Sequence, residues 1–181
     1  MPLKLFEDFL ADWRAPVERD PAARGYLDVL LSYPSLRALT AHRLIHPLYV
    51  AKVPLLPRFL SSIARFWTGI EIDPGATLGK GIFIDHGMGV VIGETAEVGD
   101  GARIGANSVV VKDVPANATV VGIPGRVVLQ DGKPVSASAD QRPRVEMPDP
   151  NAAIIAQLSE RIAALEARLA EIERKNASPA V

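Results

Sequence analysis

Cysteine is absent from the 181 residues, which excludes disulfides, thiolate nucleophiles and thiolate metal sites together and leaves cysteine usage silent on the redox compartment. Histidine is scarce, with three residues, and the formal net charge is −1. No block of like charge appears, so the electrostatic footprint of a nucleic-acid binder or of an acidic-membrane binder is missing. Long apolar runs are also missing. The most apolar stretch, Leu44 to Leu60, is broken by His46, Lys52, Arg58 and three prolines, short of the roughly 18 to 20 apolar residues that span a bilayer. The start, Met-Pro-Leu-Lys-Leu-Phe-Glu-Asp, is acidic where a signal peptide is basic, so a cytoplasmic location is expected. What remains, 48% hydrophobic and 23% charged, fits a globular protein whose partners are small molecules or other chains.

Residues 1–68 read as a small α-helical domain. Phe6, Phe9, Leu10 and Trp13 share helical spacing, as do Leu27, Leu30 and Leu31, then Leu36, Leu39, Arg43 and Leu44, then Leu60, Ile63, Ala64 and Trp67. Asp20-Pro21 has the form of an N-cap followed by a first-turn proline, so a helix is expected to begin at Pro21. Gly69 after Thr68 is a helix stop. His42 and His46, one helical turn apart, read as a core or interface pair rather than half a metal site, because few further ligands exist.

Over residues 69–128 the period changes to six. Aliphatic residues recur at Ile72, Leu78, Ile84 and Val90, then, after a two-residue phase shift, at Ile92, Val98, Ile104 and Val110. A six-residue repeat with interspersed glycines predicts a parallel β-helix in which each short strand turns one aliphatic side chain inward. Its exposed ends need covers, and the helical domain is expected to cap one of them. Residues 129–150 are polar and aperiodic, a linker. In 151–175, Ile155, Leu158, Ile162, Leu165, Leu169 and Ile172 are spaced three, four, three, four, three, flanked by Glu160, Arg161, Glu166, Arg168, Glu171 and Arg174. This fits a short coiled-coil-like helix of about two and a half heptads, with an amphipathic helix folded back on its own subunit as the alternative.

The run Gly69-Ile-Glu-Ile-Asp-Pro-Gly-Ala-Thr-Leu-Gly-Lys-Gly-Ile-Phe-Ile-Asp-His-Gly-Met-Gly-Val-Val-Ile-Gly-Glu-Thr-Ala96 resembles the first coils of serine O-acetyltransferases. Phe83-Ile-Asp85-His86-Gly followed by Val90-Val-Ile-Gly-Glu-Thr95 is the diagnostic part. Glu18-Arg-Asp20-Pro-Ala-Ala, Tyr33-Pro and His42-Arg43 resemble the family's helical domain, and Lys112-Asp-Val-Pro to Gly122-Ile-Pro-Gly-Arg126 resembles its solenoid end. The resemblance implies a left-handed parallel β-helix, assembly as a homotrimer or hexamer, and acetyl transfer from acetyl-CoA to the L-serine hydroxyl in cysteine biosynthesis, without a metal. Histidine is suited to take the serine proton near neutral pH, and His86 is the candidate base. Glu71, 15 residues earlier and so close to one coil of about 18 residues, is within reach of the ring to stabilise its imidazolium, and the resemblance gives it the orienting role. By resemblance Asp20 and Asp85 hold the substrate ammonium, while Ala106 and Arg103 fall where coenzyme A is positioned.

Two departures stand out. Family members continue past Val98-Gly99-Asp100 through about two more coils, which carry a second active-site histidine preceded by arginine and part of the coenzyme A surface. Those coils are missing here, in phase with the repeat, so the stack is expected to close while acetyl transfer is much reduced. Members often dock a C-terminal isoleucine into O-acetylserine sulfhydrylase, whereas this chain ends Pro179-Ala-Val181, which makes that partner doubtful. The alternatives are a non-catalytic scaffold of the same family and a hexapeptide acyltransferase for a sugar or xenobiotic.

Overall fold

A computed structural model describes residues 2–135 and 152–177. The chain forms two compact units, Met1–Glu146 and Met147–Val181. The first opens with four helices: α1 (Pro2–Arg19), α2 (Tyr26–Ser32), α3 (Pro34–Val50) and α4 (Leu56–Thr68). Tyr33 is extended ahead of Pro34 (φ −93°, ψ 107°), as a residue before proline must be, so α2 ends there and proline opens α3. Gly69 closes α4 in the left-handed region (φ 71°), its N–H donating to the Arg65 carbonyl. A Cβ at Gly69 would collide with the Met88 thioether, so glycine is needed there twice over.

Beyond Gly69 the backbone winds through short strands: β1 (Glu71–Ile72), β2 (Thr77–Leu78), β3 (Phe83–Ile84), β4 (Val91–Ile92), β5 (Glu97–Val98), β6 (Arg103–Ile104) and β7 (Val109–Val110). Pairing is parallel and joins each strand to the third one on: β1 to β4 to β7, β2 to β5, β3 to β6. The chain therefore visits three sheets in turn and stacks each pass on the previous one. Ile72, Ile92 and Val110 align on one sheet, Leu78, Val98 and Val114 on the second, and Ile84, Ile104 and Val120 on the third. All but Leu78 are buried, and Leu78 packs against the same core. Seven of these are residues that the six-residue period selects, and Val114 and Val120 extend the ladders past its end. The phase shift is also physical. Ile84 and Ile92 are eight residues apart because the corner Asp85–Val90 holds two extra residues, and Val90 itself is buried in that corner.

The last pass ends in an antiparallel meander, β8 (Ala118–Val121), β9 (Arg126–Gln130) and β10 (Lys133–Pro134). Asp131 and Gly132 (φ 49° and 75°) make the two-residue turn between β9 and β10, a sequence suited to it. The strands thus run into the stretch read as linker from 129, because Leu129 and Gln130 still pair with β8; positions 136–150 lie outside the described residues.

Helices cap the first pass as expected. Ala38 and Leu39 of α3 join one buried cluster with Ile70, Ile72 and Ile82. The joint is reinforced by a buried ion pair. Arg43 Nε donates to Asp12 Oδ2 at 2.6 Å and Nη2 to the Gly79 carbonyl at 2.6 Å, while Asp12 Oδ1 accepts the Ile82 N–H at 3.1 Å. Burial pushes the Asp12 carboxyl upward, against the pull of Arg43. His42 and His46 stack at 5.4 Å beside it, with His46 Nδ1 2.8 Å from the Pro74 carbonyl, which is the core pair expected of them.

The second unit contains α5 (Ala152–Ala177). Among the described residues no helix is long and apolar enough to cross a membrane.

Candidate active site

Three segments meet at the corner that follows β3: the α1–α2 connection, the first residue ahead of α3, and the rung formed by β3 over β6. Parallel register sets Phe83 on Arg103 and Ile84 on Ile104. The long guanidinium of Arg103 lies over the Phe83 ring, 5.3 Å from its centroid. It donates from Nη2 to Asp85 Oδ2 at 2.5 Å. His86 follows directly. Its backbone takes the left-handed region (φ 57°), where a non-glycine residue is strained, and Gly87 N–H closes back on the Asp85 carbonyl. The consequence is an imidazole held outward, 89% exposed, with Nε2 3.9 Å from Asp85 Oδ1. That distance is beyond a hydrogen bond and within ion-pair range.

Asp20 completes the cluster. Its Oδ2 accepts the Tyr33 hydroxyl at 2.7 Å and its Oδ1 the Ala22 N–H at 2.9 Å. The Tyr33 bond, the Ala22 amide, and the positive potential of His86 and Arg103 hold this carboxyl below its usual range. Tyr33 is pushed up to about 12, by burial first and then by Asp20. Arg19 Nη1 donates to the Gly101 carbonyl at 2.8 Å, which pins the end of α1 to the coil beside this cluster.

Of the six site residues read from the sequence, His86, Asp85, Asp20 and Arg103 converge here. Arg103 does so as the partner of Asp85. Ala106 is exposed at the next corner, on the level of His86 by the same offset of twenty that sets Phe83 on Arg103. Glu71 does not join them. Among the described residues its carboxylate accepts Arg65 Nη1 at 2.8 Å and makes no hydrogen bond to His86. Glu71 pairs with Val91, twenty residues on, so the coil here is longer than a nominal 18 residues. The helix expected at Pro21 also fails to form. The Asp20 carboxylate caps only the turn over residues 21 and 22, and α2 begins at Tyr26. Tyr33 and Arg19 entered the sequence reading only inside motifs of the helical domain and without a role at this corner, since nothing local marks a side chain whose partner lies across the domain joint. Among the described residues no three His, Cys, Asp or Glu side chains are placed to hold a metal ion.

Short parallel strands stacked in three sheets around single aliphatic ladders, with a histidine and carboxylates at a corner, define a hexapeptide-repeat protein of the acyltransferase type. No family model matches the chain. A serine acetyltransferase of Synechococcus elongatus is 42% identical to it, covering 98% of this chain and 89% of that protein. The serine acetyltransferase of Bacillus subtilis is 42% identical, covering 84% and 89%. Among solved structures, the Neisseria gonorrhoeae serine acetyltransferase in complex with serine aligns with a TM-score of 0.55 and 32% identity over 68% of this chain and 69% of that one. The Brucella abortus serine acetyltransferase in complex with coenzyme A aligns with 0.55 and 28% over 69% and 68%. The chain belongs to the serine acetyltransferase family. Its match to the Synechococcus protein extends over 221 positions against the 181 residues present here, so at least 40 of those positions have no counterpart in this chain.

Proposed function

We propose that this protein transfers the acetyl group of acetyl-CoA to the hydroxyl of L-serine, with His86 as general base, in the cytoplasm and in service of cysteine biosynthesis. One observation carries the reading: in a member of this family, the exposed imidazole stands at a coil corner beside Asp85, in the same field as Asp20 and Arg103. The serine oxygen attacks the thioester carbonyl while its proton passes to the His86 ring. The carbon–sulfur bond then breaks, and the imidazolium returns the proton to the departing thiolate, giving O-acetylserine and coenzyme A. Asp85 and Asp20 are the anions for the substrate ammonium. Glu71 takes the orienting role only by exchanging Arg65 for the ring.

The coil is read as left-handed and the protein as a homotrimer or a pair of trimers. The handedness rests on the family resemblance; support for assembly comes from α4 and its N-cap, where Leu55, Phe59, Phe66 and Trp67 are largely exposed, an apolar face larger than lone subunits commonly present. Turnover is expected to fall at least about 10²-fold below that of a full-length relative, because a second proton-handling group is worth roughly 10² to 10⁴.

The test is thiol release from acetyl-CoA at high enzyme concentration. The cysteine-free protein contributes no background. Serine-dependent release, with O-acetylserine found by mass, is expected, and sugar or xenobiotic acceptors give none. Release that ignores serine, or no release from protein that binds coenzyme A, overturns the reading.

A further inference from the structure

The acetyl transfer proposed above uses no residue of α5, yet the side chains of its seam are ordered by a rule. Ile155, Leu158, Ile162, Leu165, Leu169 and Ile172 are each 53–56% exposed, an even stripe along one face of a 26-residue helix. Their three-four spacing assigns Ile155, Ile162 and Leu169 to position a and Leu158, Leu165 and Ile172 to position d of a heptad. The charges beside the seam then fall into separate columns. Arg161 and Arg168 occupy g, and Glu166 occupies e.

This separation decides orientation. In a parallel pair, a g residue meets the e residue of the following heptad on its neighbour, five positions on. Arg161 therefore faces Glu166 of the second copy. In an antiparallel pair g meets g and e meets e, which sets Arg against Arg and Glu against Glu. Like charges opposed across a seam cost specificity and stability. A helix folded onto its own subunit needs an apolar stripe but has no use for columns of opposite sign on its two flanks.

We infer that α5 is a self-association element, the occupant of its apolar face being the same helix from a second copy of the chain, parallel and in register. A seam of about two and a half heptads is short for independent association, so α5 acts on copies already brought close, where linkage raises the effective concentration.

The absence of native cysteine makes the test clean in the full-length protein. Leu158→Cys, at one end of the seam, and Ile172→Cys, at the other, are treated separately and mixed with a short bismaleimide. Ala163→Cys, at position b on the outer face, is the control. A parallel seam joins each seam variant to itself in most chains and leaves the control at least fivefold lower. An antiparallel seam joins Leu158→Cys to Ile172→Cys only in the mixture, and a helix folded back on its own subunit gives no covalent dimers in any sample. Either result overturns the inference. In the Leu158→Cys background, Arg161→Glu/Arg168→Glu sets like charge against Glu166 and should lower self-joining severalfold in low salt. Undiminished joining by that variant also overturns it. Acetyl transfer, measured alongside, is untouched by these changes, so the outcome is independent of the function proposed above.

Discussion

Arg103 and Asp85 form one unit across two passes of the coil: the guanidinium lies on Phe83 and reaches Asp85 Oδ2 at 2.5 Å. The arginine is thereby committed to a carboxylate that the proposed chemistry assigns to the serine ammonium. Arg103→Leu leaves Asp85 without its clamp. The pair is partly open to solvent, which discounts its worth to about 1 kcal/mol, so KM for serine should rise roughly fivefold while KM for acetyl-CoA holds. The opposite split, with acetyl-CoA affected and serine not, would give Arg103 the coenzyme A role that resemblance first suggested.

His86 separates function from stability. Its left-handed backbone costs an L-residue of order 1 kcal/mol that glycine does not incur. His86→Gly should therefore abolish acetyl transfer and raise Tm by about 2–4 °C, whereas His86→Ala abolishes transfer without that gain. Turnover retained in both variants, measured by thiol release, rejects His86 as the base.

Tyr33 is the main cause of the depressed Asp20 carboxyl. Tyr33→Phe removes the hydroxyl, and the Asp20 pKa should climb toward its ordinary value. Because the folded pKa lies below the unfolded one, the linked stability is present above the unfolded value near 3.8 and disappears as pH falls through the folded one. Urea titrations should show wild type ahead of Tyr33→Phe at neutral pH, with the gap closing below about pH 4. A gap that is constant with pH assigns Tyr33 to packing alone.

The contrast among these residues explains what a linear sequence reveals. Ile72, Leu78 and Ile84 announce three faces because each inward position repeats every sixth residue, and a coil built that way has few other solutions. Even the corner that carries His86 is audible as the eight-residue step from Ile84 to Ile92. The nominal coil of about 18 residues falls short of the twenty that this pass takes, a difference made by the very corner that carries His86, and the Arg65 partner of Glu71 leaves no trace in the spacing. Asp20-Pro21 met every local rule for a helix start, but its carboxylate had a distant partner, Tyr33, and the chain turned instead. Long-range pairings such as Arg19 with Gly101 and Arg43 with Asp12 leave no periodic trace, so the joint between helices and coil was legible only as a need for a cap.

His42 supplies a pH dependence of opposite origin to that of Asp20. Burial, then the nearby His46 and Arg43, lower its pKa from 6.5 to about 4. Its ring nitrogens face the Asp73 and Ala76 backbone without closing a hydrogen bond of good geometry. Between those two values the unfolded chain binds a proton that the folded one refuses, so stability falls as pH drops from about 6.5 toward 4, with a limiting slope near 1.4 kcal/mol per pH unit. His42→Phe keeps the stack on His46 and removes the titration. Urea midpoints at about pH 7 and pH 5 should therefore diverge in wild type far more than in the variant, with the other titrating groups cancelling in the difference. Equal shifts in both proteins would mean that the His42 ring takes up its proton without unfolding the joint between α3 and the coil.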